Sequence, residues 1–174
     1  NNGYGLGLDE FPKILEQNGI EFFAVATIEE AIKLRENGIT AKIMMLHSTA
    51  IESDLLTLLN YDIIPTIGSF EALYVLDKIS KENNVPLYAQ LKIDTGFGRF
   101  GFLPEDMEKL INELKSHPNI GIIGTFSHFS CAFNEKSNYT DKQFNIFNKC
   151  VSKLTDGGIE PGIRHICNSS AFHD

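Results

Sequence analysis

The sequence predicts an α/β fold: a (β/α)8 barrel that is incomplete, with its first strand and its last strand or strands missing. Three observations carry that expectation. Short apolar runs alternate with amphipathic runs along the 174 residues, which is the pattern of parallel strands covered by helices. The apolar runs number six, against the eight strands and about 250 residues of a closed barrel. Polar side chains also collect at the C-terminal ends of several runs, where a barrel keeps its active site.

The elements follow in order. "NNGYGLGL" opens the chain as the tail of an earlier strand at residue 1, and a helix follows over about 8–18. "FFAVA" (22–26) is the first full strand. Thr27 and Glu30 then form a capping box before "IEEAIKLRE", a helix over 28–37 that Gly38 ends. "KIMML" (42–46) is a strand and 50–59 a helix; "DIIPTI" (62–67) is a strand, and Ser69 caps a helix over 70–83. "LYAQLKI" (87–93) precedes a helix over 104–116 with Pro104 at its first position. "GIIGTF" (121–126), a helix over 139–155 and "GIRHIC" (162–167) complete the series. With no repeat, linker or low-complexity tract, 1–174 reads as one partial barrel domain. A doubly wound sheet is the competing closure. It calls for a glycine-rich dinucleotide loop after its first strand, and "GYGLGL" (3–8) fits that fingerprint badly.

Composition narrows the function classes. With 43% hydrophobic residues the chain can bury a core, and its net charge of −8 with no basic stripe argues against nucleic acid and anionic membranes as partners. No apolar run approaches the roughly 20 residues that span a bilayer, and the first residues lack the basic start of a signal peptide. Cys131, Cys150 and Cys167 make no CxxC pair and no metal-ligand spacing. An odd count fits a reducing cytoplasm better than a disulfide framework. The glycosylation pattern at Asn138 and Asn168 means nothing without secretion.

The stretch "LKIDTGFGRFGF" (91–102) carries the sharpest signal. Side chains alternate across a strand, so Leu87, Ala89, Leu91 and Ile93 share one face and Tyr88, Gln90, Lys92 and Asp94 the other. A barrel strand turns its aliphatic face to the helices, which sends the polar set toward the lumen. Buried charges need partners or a ligand, so a lined polar pocket is expected there. Thr95 to Arg99 form its rim, where the glycines permit a tight turn and Arg99 offers a fixed fork for an oxygen anion. The alternative is that Lys92 pairs with Asp94 and Arg99 is a solvated turn residue.

Two further strand ends are polar. "GTFSHFS" puts Ser127 and His128 at a terminus, where a histidine is either a structural residue or a reactive one. "IRHICNSSAF" puts His165 in a strand and Asn168, Ser169 and Ser170 at its end. Backbone N–H groups and hydroxyls there suit a phosphate, or else Asn168 and its neighbours are a plain helix cap.

"NNGYGLGL", "LKIDTGFGRFGF", "FSHFS" and "RHICNSSA", in this order and spacing, closely resemble the barrel domain of bacterial alanine racemases, enzymes that use pyridoxal 5'-phosphate (PLP). The resemblance runs over essentially the whole chain, and DTGxGRxGF is its most specific part. It implies that Tyr4 and Ser169 hydrogen-bond the PLP phosphate, that Asn168 lies beside the cofactor, and that Leu46, at the end of the second strand, touches its ring. His128 would pack against the ring. Arg99 would reach the phenolic oxygen and help hold the substrate carboxylate, with Lys92, often carbamylated in this family, orienting it. His165 would support an arginine that contacts the pyridine nitrogen. The resemblance also implies interconversion of L- and D-alanine, supply of D-alanine for peptidoglycan, and a homodimeric parent.

The same resemblance implies pieces that these residues lack. The family lysine that bonds the cofactor covalently would fall one position before Asn1, and the pyridine-facing arginine beyond Asp174. The C-terminal β-domain with its catalytic tyrosine would lie further on. The expectation is therefore an excised portion of a racemase that is inactive alone and binds PLP weakly. A serine racemase or another barrel PLP enzyme, a non-catalytic PLP-binding module, and an unrelated barrel with a phosphate site are the competing readings.

Overall fold

The computed structural model describes residues 2–133 and 138–172. One sheet of six parallel strands runs in chain order, β1 (Phe22–Val25), β2 (Lys42–Ser48), β3 (Ile63–Ile67), β4 (Leu87–Lys92), β5 (Ile120–Phe126) and β6 (Ile163–His165). Between them lie α2 (Ile28–Glu36), α3 (Glu52–Asn60), α4 (Phe70–Asn83), α5 (Met107–Ser116) and α6 (Tyr139–Asp156). Before β1 comes α1 (Phe11–Gln17), and α7 (Ser169–Phe172) follows β6. The sheet curls into half a barrel: Ala24 of β1 and His165 of β6, on its two outermost strands, line the same cavity.

The core lies outside the arc, between strands and helices. Ala89, Leu91 and Ile93 of the β4 segment are each 0% exposed and pack in one cluster with Leu73 and Leu76 of α4 and Leu110 and Leu114 of α5. Burying one leucine side chain fully contributes roughly 1.5–3 kcal/mol. The alternate residues Gln90 and Lys92 are also buried, at 1% and 3% exposed, but on the concave side. There Gln90 lines the lumen with Phe22, Met44 and His165. The alternation read in 87–93 is thus the alternation of helix-facing and lumen-facing residues.

Local signals set most boundaries. Ser69 Oγ accepts from Ala72 N at 3.2 Å and caps α4. Thr27 Oγ1 likewise accepts from Glu30 N at 3.2 Å, but the expected box is not closed on Thr27. The Glu30 carboxylate takes the backbone N–H of Ala26 and of Asn2 instead, which ties the N-terminal turn to the end of β1. Pro104 opens a 3-10 turn, Pro104–Asp106, rather than α5 itself, because Asp106 bonds back to Leu103 at both its N–H and its carboxylate. β2 runs two residues past Leu46, and β6 stops at His165 because Asn168 already caps α7. α1 starts at Phe11, later than expected, with Pro12 in its first turn. The strand tail expected at residue 1 lies outside the described residues; Asn2–Gly5 form a 3-10 turn in which Gly3 and Tyr4 have φ of 57° and 58°. Among the described residues no helix is long and apolar enough to cross a membrane.

Candidate active site

The loop after β4 is organised by Asp94. Its Oδ1 accepts from the backbone N–H groups of Gly96, Phe97 and Gly98 at 2.8, 2.9 and 3.1 Å, and its Oδ2 from those of Gly98 and Arg99 at 2.9 and 3.1 Å. The loop then closes on its own strand, with Phe102 N donating to Lys92 O and Asp94 N to Phe102 O, both at 2.9 Å. Gly101 makes the return possible. Its φ is +123°, and a Cβ there would stand 2.8 Å from Asp94 N. The Asp94 carboxylate therefore serves its own loop, and it forms no ion pair with Lys92 among the described residues. Burial raises its pKa, but the four backbone donors outweigh that and hold the group below the usual carboxylate value.

The buried ammonium of Lys92 lies against two aromatic rings. Its Nζ lies 4.6 Å from the centre of the Phe126 ring and 5.7 Å from that of Phe100. Burial, and then the Arg99 charge, push its pKa down to about 7, with Asp94 pulling weakly the other way. Arg99 is exposed, and its guanidinium carbon stands 4.5 Å from the Phe97 ring centre and 5.3 Å from that of Phe100. Cation–π contacts orient it, while its N–H donors stay available.

Two histidines complete the cluster. His128, just past β5, meets Phe97 edge to face at 5.3 Å. The His165 ring stacks on Phe126 at 4.9 Å with 4° between the planes. Burial lowers both pKa values; Lys92 lowers them further, and at His128 Arg99 adds to this. Both rings are therefore biased toward the neutral form, and the fixed positive charge belongs to Arg99.

A cavity of about 650 Å³ opens at this end of the arc. It brings together six of the eight residues named from the sequence: Tyr4, Leu46, His128, His165, Asn168 and Ser169. Lys92 and Arg99 are not in its wall. They stand behind and beside it, reaching it through Phe126 and Phe97. Tyr4 is 90% exposed and held in the left-handed region. Asn168 is occupied locally, since its Oδ1 accepts from Ala171 N and its Nδ2 donates to Phe129 O, each at 3.1 Å. The cap reading of that segment therefore holds for Asn168, while Ser169 lines the cavity. Among the lining residues there is no carboxylate and no lysine.

Sequence reasoning missed the aromatic members. Phe97, Phe100 and Phe126 receive no role from the sequence, and their part shows only when the rings are placed beside the cations and histidines. Cys167, free and exposed, also lines the cavity; its position beside Asn168 was the available signal.

Fold and site together define a parallel α/β half-barrel with an aromatic-walled pocket at the C-terminal ends of its strands, free of acids among the described residues. The alanine racemase N-terminal domain family model matches residues 1–174. The chain is 41% identical to the alanine racemase of Clostridium tetani over 99% of its own length and 45% of that protein. It is 35% identical to that of Methanococcus maripaludis, over 99% and 46%. Among solved structures it matches a Clostridium difficile alanine racemase in complex with cycloserine, with TM-score 0.91, 34% identity and coverage of 99% and 48%. It also matches the Bacillus anthracis alanine racemase with bound L-Ala-P, with TM-score 0.87, 29% identity and coverage of 98% and 44%. The chain belongs to the alanine racemase N-terminal domain family. It spans about half the length of the curated relatives it matches.

Proposed function

We propose that the chain is the cofactor-binding part of an alanine racemase, with PLP in the 650 Å³ cavity and L- and D-alanine as substrates. The observation that carries this reading is the guanidinium of Arg99, exposed and without an anionic partner among the described residues, next to a pocket whose described lining holds no acid. The donor set fits the cofactor. The Tyr4 and Ser169 hydroxyls suit its phosphate, Leu46 and His128 offer flat contacts to its ring, and Arg99 suits an oxygen anion on the cofactor or the substrate carboxylate. When bound, the cofactor supplies the electron sink that makes the α-proton of an amino acid acidic.

The residues of this chain bind and orient. Arg99 fixes an anion, held in place by Phe97 and Phe100. His165 is stacked flat against Phe126 and lines the cavity, where it can support a further group. Lys92, with its pKa near 7, is part neutral amine at physiological pH. Carbon dioxide adding to that amine, with loss of one proton, would give a carbamate whose negative charge pairs with Arg99 instead of repelling it. The free thiols Cys131, Cys150 and Cys167 fit a reducing compartment such as the cytoplasm. We also infer a homodimeric parent from the family.

The test uses the complete protein that contains this chain. It is expected to interconvert L- and D-alanine in preference to serine, and Arg99→Lys is expected to lower kcat/KM at least tenfold by loss of the planar fork. Preference for serine, or full activity in Arg99→Lys, overturns the assignment. The 174-residue polypeptide alone is expected to be inactive, because the described residues of its cavity wall include no lysine. D-alanine formation by that polypeptide counts against this.

A further inference from the structure

Gln143, in the second turn of α6, is 0% exposed. Its Nε2 donates to the His128 carbonyl at 3.1 Å and to Thr95 Oγ1 at 3.4 Å. Its Oε1 accepts from Ser130 N at 3.0 Å and Ser130 Oγ at 3.2 Å. These four contacts use the whole hydrogen-bonding capacity of the amide. Thr95 Oγ1 also lies 2.8 Å from Ser127 Oγ, which joins the two loops directly. One turn earlier on α6, the Tyr139 hydroxyl donates to Gly96 O at 2.9 Å. Thr95 and Gly96 belong to the loop that carries Arg99; Ser127 and Ser130 belong to the loop that carries His128. The ring contact between Phe97 and His128 crosses the same joint.

We propose that Gln143 is a positioning residue that holds the Arg99 loop and the His128 loop in one frame, so that both side chains meet an anionic cofactor or substrate in register. This rests on the function proposed above. A residue needed only to fill space would be apolar, since a buried amide is costly unless every partner is present. Here every partner is present, and each lies in one of the two site loops.

The test is hydrogen exchange with NMR on the complete protein that contains this chain, without cofactor. In Gln143→Met, which keeps the length and loses the hydrogen bonds, the amides of Ser130 and of Gly96 to Arg99 are expected to exchange about tenfold faster. Amides of β2 and β3 keep their rates, and the His128 ring resonances lose the shift imposed by Phe97. Gln143→Glu retains the acceptor, so Ser130 stays protected while Gly96 to Arg99 loosen. Unchanged exchange at Gly96 to Arg99 in both variants overturns the proposal, as does a rise spread evenly over the sheet. If Gln143→Met does not fold, Thr95→Val decides by cutting the same joint from the other loop: faster exchange at Ser127 to Ser130 supports the proposal, and wild-type exchange there overturns it. In the complete enzyme the Gln143 variants are expected to lower kcat about tenfold at a temperature where they remain fully folded. Failure of the chain to bind PLP would sink the proposed function while leaving the exchange result standing.

Discussion

Lys92 is the residue at which burial and charge conflict most. Its ordinary pKa of 10.5 falls to about 7 in the folded chain, so between those values the unfolded chain binds the extra proton. Stability then rises with pH across that window, and below pH 7 the full cost of a buried ammonium remains, on the order of a few kcal/mol. In carbonate-free buffer, Lys92→Met is therefore expected to raise Tm at pH 6 and to do so much less at pH 10. An equal gain at both values would refute the burial argument. With bicarbonate present, carbon-13 NMR is expected to show a carbamate signal that Lys92→Met abolishes. Asp94 carries the opposite sign. Its lowered pKa contributes stability that is complete above the unfolded value and is lost as pH falls through the folded one. Asp94→Asn leaves one acceptor oxygen for four N–H groups and places an NH₂ against them, a loss of roughly 2–3 kcal/mol that urea unfolding reads directly.

At the scale of elements, the loop from Asp94 to Phe102 behaves as one unit, pinned at its base by two backbone bonds and filled by one carboxylate. Gly101→Ala is expected to break it, because the new methyl would press on Asp94 N in a backbone region that only glycine enters freely. Loss of more than about 2 kcal/mol, with α4 and α5 intact by circular dichroism, is the expected outcome. Ser69→Ala, by contrast, removes one cap from α4 and is expected to cost about 1 kcal/mol. These elements also show what the sequence discloses. The strand alternation in 87–93 and the cap at Ser69 are written in local chemistry, because period-two burial and a hydroxyl before a helix leave direct marks. The destination of the Asp94 carboxylate leaves no such mark. A strand pattern says which face a side chain takes, not that the backbone beyond it will curl back to meet it. Gln143 was illegible for a related reason. An isolated glutamine in an amphipathic helix looks like any solvated polar residue until two loops 13 and 48 positions away close on it.

Over the whole molecule, β1 and β6 each pair on one side only among the described residues. Ile163 of β6 is 60% exposed, and Phe172 and Tyr4, which line the cavity, are 81% and 90% exposed. Open strand edges beside apolar side chains invite association. The isolated 174-residue polypeptide is expected to sediment as assemblies, and Ile163→Lys is expected to shift it toward monomer; a monodisperse wild-type monomer would contradict this. The sheet also has no crossover, for each strand lies beside its predecessor in the chain. Strand pairing can therefore keep pace with synthesis, each βα unit docking on the last as it leaves the ribosome, without waiting for a distant partner. Arg99 and His128 can reach their places early in that succession. Tyr4, made before the rest of the pocket, has no Ser169 to face until that residue emerges, so a nascent chain paused before residue 160 should already protect the Asp94 loop while offering no closed pocket to a phosphate.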